Sequence, residues 1–223
     1  MMISPEGYYE FNLKGKSADE IRSAIRGLKQ GMGRKKNNLE NPTPRCVEHC
    51  ICPSKETQID CERMYLQRAI QALEELGEKY IPSKREQKAI EFDSKIEKIK
   101  EIIFHIGSWC DVGKNTIVRI EGENVKFFKS ELENEVGIEV FDPMTKEEFC
   151  ELFRDLYIGE WQSNYSCFKF GVYMLDGTEW ELRIRYDDDT KERVISGANC
   201  YPYNFSKLLD LLGINDDEEA DED

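Results

Sequence analysis

Near residue 101 the spacing of apolar residues changes from three and four to two, and this switch constrains the fold more than any single motif. Before it, Ile21, Ile25, Leu28 and Met32 recur on one helical stripe. Ser17 and Glu20 stand ahead of that stripe as a capping box, each side chain able to satisfy a free backbone N–H of the first turn. Gly27, Gly31 and Gly33 interrupt it, each costing up to about 1 kcal/mol relative to Ala if exposed, which predicts fraying or a break near residues 31–33. Residues 41–56 read as a loop, punctuated by Pro42, Pro44 and Pro53. A second helix starting near Thr57 would bury Leu66, Ile70, Leu73 and Leu76 and stop at Gly77. A third opens on the capping box Ser83 and Glu86 and carries Ile90, Phe92, Ile96 and Ile99.

After the switch, residues 101–106 read as a strand. Residues 116–120 and 125–129 flank Glu121-Gly122-Glu123-Asn124 as a hairpin. Thr145 and Glu148 cap a helix with Phe149, Leu152, Phe153 and Leu156 on its buried face, ending at Gly159. Residues 172–175, the turn Asp176-Gly177 and residues 178–186 form a second hairpin pattern. In its second strand Trp180, Leu182, Ile184 and Tyr186 alternate with Glu181, Arg183 and Arg185, giving one buried and one wet face. A further strand at 191–197 and a short helix at 204–212, packing Phe205, Leu208, Leu209 and Leu212, complete the pattern. The expected fold class is α+β: a helical N-terminal region, then an antiparallel sheet domain with two packed helices. The expected division is 1–100, 101–215 and an acidic tail at 216–223.

Charge follows the same division. Residues 1–100 hold 19 Lys and Arg against 16 Asp and Glu, and residues 101–223 hold 12 against 29. Such an asymmetry separates parts that meet different partners. Seven of the last eight residues are acidic, a composition that predicts disorder. The opening Met1-Met2-Ile3-Ser4-Pro5-Glu6 has no apolar stretch resembling a secretory leader, and no run approaches the roughly 18 apolar residues that span a bilayer. These features predict a soluble cytoplasmic protein whose eight cysteines are reduced thiols.

Candidate chemistry is sparse. Cys46, His49, Cys50 and Cys52, with Cys61 beyond, offer ligand types for tetrahedral zinc, but the spacing lacks a second pair of ligands across an intervening element. A loop of unbound thiols is the competing reading. Gly107 to Thr116 has the flavour of a phosphate-binding loop. It has five residues between glycines instead of four, Asn115 in place of the magnesium-binding hydroxyl, and a strand pattern where a helix must begin. A loop between strands is expected. His105 alternates with apolar neighbours as a structural side chain, and no Gly-x-Ser-x-Gly elbow is present. Glu147 and Glu148 fit a helix's first turn, and Asp187, Asp188 and Asp189 fit a solvated hairpin turn. A binding role is therefore favoured over a hydrolase or zinc enzyme, which stands as a third reading, and no cofactor is expected.

Two binding surfaces remain. Arg22, Arg26, Lys29, Arg34, Lys35 and Lys36 are positioned to lay a basic helix on phosphates, or else form a solvated face. Glu131, Glu133, Glu135 and Glu139 belong to the acidic half, whose carboxylates can occupy sites a partner reserves for phosphates, or simply maintain solubility.

Two segments carry a resemblance. Ile3-Ser-Pro-Glu-Gly-Tyr-Tyr-Glu10 with Leu13-Lys-Gly-Lys16 and Ile25-Arg-Gly-Leu-Lys29 is similar to a group of uncharacterised proteins from gut Firmicutes, often borne on phages and other mobile elements. Asp176-Gly-Thr-Glu-Trp180-Glu-Leu-Arg-Ile184 with Ser196-Gly-Ala-Asn199-Cys-Tyr-Pro202-Tyr-Asn-Phe205 resembles a small domain of the same setting. The resemblance implies structural motifs and no activity. Its setting implies a protein-binding role, such as anti-CRISPR-like inhibition of a host nucleic-acid-targeting complex. A nucleic-acid-binding accessory or regulatory protein is the alternative.

Overall fold

Helix termini in this chain are written locally, and most stand where the capping residues place them. The computed structural model describes residues 3–41, 53–108, 113–130, 138–139, 144–166 and 177–214. Two compact units meet between Pro82 and Ser83.

The first unit holds α1 (Pro5–Asn12), α2 (Ala18–Glu40) and α3 (Lys55–Glu75). Helix α1 starts at the N-cap Ser4, whose hydroxyl accepts from the Gly7 N–H, with Pro5 in the first turn. The Ser17–Glu20 capping box opens α2. The expected fraying or break near residues 31–33 does not occur. Gly31 instead lies against the Glu62 side chain, where a Cβ would stand 3.3 Å from a carboxylate oxygen, and Met32 is buried. Packing of α2 on α3 overrides the weak helix propensity of glycine.

The buried stripe of α3 also differs from expectation. Ile59, Tyr65, Ala69, Ala72 and Leu73 are buried, Leu66 and Ile70 pack at the margin, and Leu76 is 53% exposed. Ala69 and Ala72 have too little apolar surface to mark the stripe in the sequence, yet they lie in the core beside Leu13, Ile21 and Ile25. Gly77 ends the helix at φ +78°, with its N–H bonded to the Glu74 carbonyl and that of Glu78 to Leu73, a Schellman closure.

The second unit begins earlier than the charge boundary. Helix α4 (Lys84–Asp93) opens on the Ser83–Glu86 capping box and joins the sheet unit, not the helices before it. Phe92 enters the sheet core, and the Arg193 guanidinium lies 4.4 Å from its ring centre. Gly159 sits against Ala89, where a Cβ would come within 2.9 Å of backbone. Placing the division at residue 82 sharpens the charge contrast: 13 basic against 12 acidic residues in the first unit, 18 against 33 in the second.

The sheet comprises β1 (Ile99–Ser108), β2 (Lys114–Glu121), β3 (Asn124–Ser130), β4 (Ile138–Glu139), β5 (Met144–Thr145), β6 (Asn164–Ser166), β7 (Thr178–Tyr186) and β8 (Arg193–Ala198). Its order is β4-β3-β2-β1-β7-β8-β6, with β5 pairing β3. Pairing is antiparallel except between β6 and β8. The β2–β3 hairpin turns on Gly122 at φ +64°.

The first strand of the second expected hairpin, at 172–175, lies outside the described residues; from Glu179 to Ile184, β7 pairs β1 on one edge and β8 on the other.

One sheet face makes the core. Ile102, Phe104, Val118, Val125, Phe127, Trp180, Leu182, Ile184 and Ile195 meet Phe149, Cys150 and Phe153 of α5 (Lys146–Asp155) and Phe205 and Leu208 of α6 (Phe205–Leu211). Leu152, expected to be buried, is 46% exposed. Cys150 takes the inward position instead, and burial raises its thiol pKa.

Around Trp180 the structure accounts for the residues that carried the C-terminal resemblance. The indole N–H bonds the Cys200 carbonyl at 3.0 Å, and a Cβ on Gly197 would overlap the ring. Asn199, at φ +53°, accepts from the Thr178 N–H, while buried Asn204 accepts from the Trp161 indole and donates to the Leu156 carbonyl.

Candidate functional site

The basic residues of α2 are distributed by what surrounds them. Arg22 bonds Asp19 at 3.0 Å and also Glu78, Lys29 reaches the Tyr80 hydroxyl at 3.1 Å, and Lys35 pairs with Glu62 at 2.7 Å. Lys36 is also engaged. Arg26 donates to the nearby Ser23 hydroxyl and is exposed, as is Arg34. The six cations therefore do not form one phosphate-facing surface. Lys35 turns to the α3 side, where one oxygen of Glu62 is buried without a hydrogen bond.

Of the acidic candidates, Glu131, Glu133 and Glu135 lie outside the described residues. Glu139 is placed by its backbone on β4, opposite Phe128. Cys46, His49, Cys50 and Cys52 also lie outside them. Cys61 is a half-buried thiol on α3, outside any disulfide. Among the described residues, no group of three His, Cys, Asp or Glu is arranged to hold a metal. The reduced state expected for the cysteines does not hold at Cys200, which is disulfide-bonded.

Gly107 lies in β1 and Gly113 directly precedes β2, so a strand follows the second glycine where a phosphate-binding loop needs a helix; residues 109–112 lie outside the described residues. Beside these glycines His105 Nδ1 and the Asn115 side-chain oxygen are 2.9 Å apart, and Gly113 packs on the imidazole where any Cβ would collide. The seat orients the ring and holds the strand ends together. Asp187 to Asp189 serve the β7–β8 turn. Asp188 accepts from the Thr190 N–H and pairs with Lys98 at 2.9 Å; the Thr190 hydroxyl first, then Lys98 and the Thr190 N–H, hold its carboxyl well below the usual carboxylate range. Glu148 completes the α5 capping box.

The second face of the sheet carries residues in register. Arg119, Glu101, Arg185 and Glu192 form a ladder across β2, β1 and β7 to the residue that precedes β8, with successive ion pairs of 3.0, 2.9 and 3.2 Å. Beside it Phe128, Ile117, Ile103, Arg183 and Val194 face one another in a mainly apolar row. Its acids and bases are thus largely matched internally.

An unmatched surface lies elsewhere. On α5, Glu147, Glu151 and Asp155 recur at spacings of four on the side away from Phe149 and Phe153, and all three are exposed. Glu148 and exposed Leu152 border them. No ion pair is made by Glu147, Glu151 or Asp155 among the described residues. The i, i+4, i+8 spacing was visible in the sequence. The signal was masked because first-turn acids are satisfied by the helix dipole and Leu152 fits an apolar stripe.

No family, curated protein or solved structure matches this chain. Among the described residues, no helix is long and apolar enough to cross a membrane.

Proposed function

We propose that this chain is a binding protein whose acidic sheet unit docks on a basic surface of a nucleic-acid-processing complex. In the mobile-element setting implied by the resemblance, the role is inhibition of a host nucleic-acid-targeting defence. The observation that carries the reading is the outer face of α5, where three exposed and unmatched carboxylates stand beside an exposed leucine on a unit with 33 acidic and 18 basic residues. Carboxylates steer association with a basic surface, and a desolvated leucine adds apolar contact. The alternative, nucleic-acid binding through α2, has less support because Arg22, Lys29 and Lys35 are already engaged by residues of their own unit.

The test is affinity capture from nuclease-treated bacterial lysate, followed by titration of the captured protein. The triple reversal Glu147→Lys, Glu151→Lys and Asp155→Lys is expected to weaken binding at low salt by about tenfold or more. Arg26→Glu with Arg34→Glu should leave it intact. Unchanged affinity in the triple variant removes α5 from the interface. Loss of the partner on nuclease treatment, together with a mobility shift abolished by the double variant, transfers the function to α2.

A further inference from the structure

The inner side of α4 is spent on the sheet unit: Phe92 enters the core, and Ala89 meets Gly159 of the 3-10 turn Ile158–Glu160. Lys84, Arg85 and Lys88 of the same helix are all exposed. Positions i and i+4 share a helix face, so Lys84 and Lys88 lie together with Arg85 next to them. None of the three makes an ion pair among the described residues, and Arg85 donates to the Glu160 carbonyl at 2.9 Å. The acids of the helix are committed elsewhere. Glu86 closes the capping box and so fills the helix N-terminus, Glu91 pairs with Lys95 at 2.6 Å while feeling the charge of Lys88, and Asp93 is likewise engaged. One turn past Lys88, the Arg193 guanidinium lies over Phe92 and donates to the Ile158 carbonyl at 2.8 Å, again without an ion pair among the described residues. The other arginines of the unit, Arg119, Arg154, Arg183 and Arg185, each hold a carboxylate. Arg85 and Arg193 instead grip the two ends of one turn through carbonyls, which fix a guanidinium without cancelling its charge.

We infer that the basic flank of α4, made by Lys84, Arg85 and Lys88 and backed by the field of Arg193, is a contact surface for the phosphate backbone of a nucleic acid. This goes beyond the docking proposed for α5 and does not depend on it. From Lys84 to Phe92, where Arg193 lies, the helix rises about 12 Å. A small anion needs donors that converge on one point. Cations strung along a helix flank match a chain of like charges instead, and a nucleic-acid strand carries one about every 3.4 Å. Contacts of this kind position a strand and read no sequence. The rest of the unit, with 33 acidic against 18 basic residues, repels a polyanion. The strip is therefore a weak and salt-sensitive site, one that holds a strand brought near it. Only the division at Pro82 assigns these cations to the acidic unit. Nucleic-acid contact thus belongs to α4, whose lysines are unpaired, in preference to α2, where Arg22, Lys29 and Lys35 are engaged by their own unit.

Fluorescence anisotropy of a labelled single-stranded oligonucleotide of mixed sequence, titrated with the full chain, tests this. Binding is expected at about 20 mM salt, with log affinity falling against log salt at a slope near −2, the value for three phosphate contacts on a single strand. In the Lys84→Gln, Arg85→Gln, Lys88→Gln variant the slope should fall toward zero and the affinity at low salt should drop about tenfold or more. Because Arg85 also holds the Glu160 carbonyl, a second variant carries Lys84→Gln and Lys88→Gln alone, whose side chains make no hydrogen bond among the described residues. It should keep the wild-type unfolding curve by tryptophan fluorescence and lose most of the slope. Arg26→Glu with Arg34→Glu on α2 should bind as wild type does. A wild-type chain that stays unbound at low salt overturns the inference, and so does a double-lysine variant that keeps the wild-type slope. Equal loss in the α2 variant moves the contact to α2 and overturns it too. Poly-glutamate that displaces the strand at equal charge concentration makes the flank a site for acidic protein, which also overturns it; failure of poly-glutamate to compete is the expected result.

Discussion

The helical unit and the sheet unit reach stability by different means. In the sheet unit, wide aromatic side chains converge: Trp180 packs against Trp161, Tyr165 and Phe205, with ring centres 4.8 to 6.4 Å apart. In the helical unit, the buried cluster is built from Leu13, Ile21, Ile25, Ala69, Ala72 and Leu73, with no aromatic ring at its centre. Its aromatics work at the margin, Tyr8 stacking on Tyr65 at 4.6 Å and Tyr9 beneath the Arg68 guanidinium. Burial raises the Tyr8 pKa, reinforced by the charge of Glu62 and by Tyr65. Small side chains let helices approach closely but remove little apolar area from water, so the first unit depends more on caps, stacks and ion pairs. A sheet core tolerates losing a surface pair, whereas a three-helix unit of this kind loses a larger share of its stability.

All three tryptophans fall in the second unit, whereas much of the helix lies in the first. Tryptophan fluorescence therefore reports the second unit alone, and far-ultraviolet dichroism is weighted toward the first. The largest expected effect comes from Trp180→Ala, which should lower the stability of the sheet unit by about 3–5 kcal/mol. Urea unfolding followed by the remaining tryptophan fluorescence should shift strongly. The helical transition should stay in place, and a joint shift would show that the units unfold as one. Next, Ser17→Ala removes the α2 capping box and should cost the helical unit about 1 kcal/mol, read in the dichroism transition alone.

The smallest effect concerns acid. Asp188 is held below its ordinary range, first by the Thr190 hydroxyl and then by Lys98. A depressed carboxyl contributes stability that is present above its unfolded pKa and lost as pH falls through the folded one. Asp188→Asn should therefore lower the melting temperature of the sheet unit slightly at pH 7, with the difference closing under strong acid. A difference that persists there would assign the effect to something other than the charge.

Features encoded by neighbours in sequence were legible. The capping boxes at Ser17, Ser83 and Thr145 begin α2, α4 and α5, and Gly77 closes α3. Features that depend on distant packing were not. Nothing local to Gly31 reveals that Glu62 lies across from it, and nothing local to β7 reveals that both of its edges are taken. For the candidate site, the charge asymmetry pointed to the acidic half. It could not show that many acids on the sheet are matched by arginines across strands while those on α5 are not. Cross-strand neutralisation is a property of register, which emerges only when the sheet is assembled.

The central place of β1 also governs the order in which the protein can be made. Glu101 and Arg185, joined across β1 and β7, are 84 residues apart in sequence. Closing so long a loop is slow compared with forming local helices and hairpins. As the chain emerges from the ribosome, the residues of the helical cluster are all available once Tyr80 has been added. By contrast, β1 to β3 must wait with a core face lacking Trp180, Leu182 and Ile184 until β7 is synthesised. The newborn chain thus passes through a stage with one finished unit and one exposed half-sheet, the point in its life when a chaperone has most to cover.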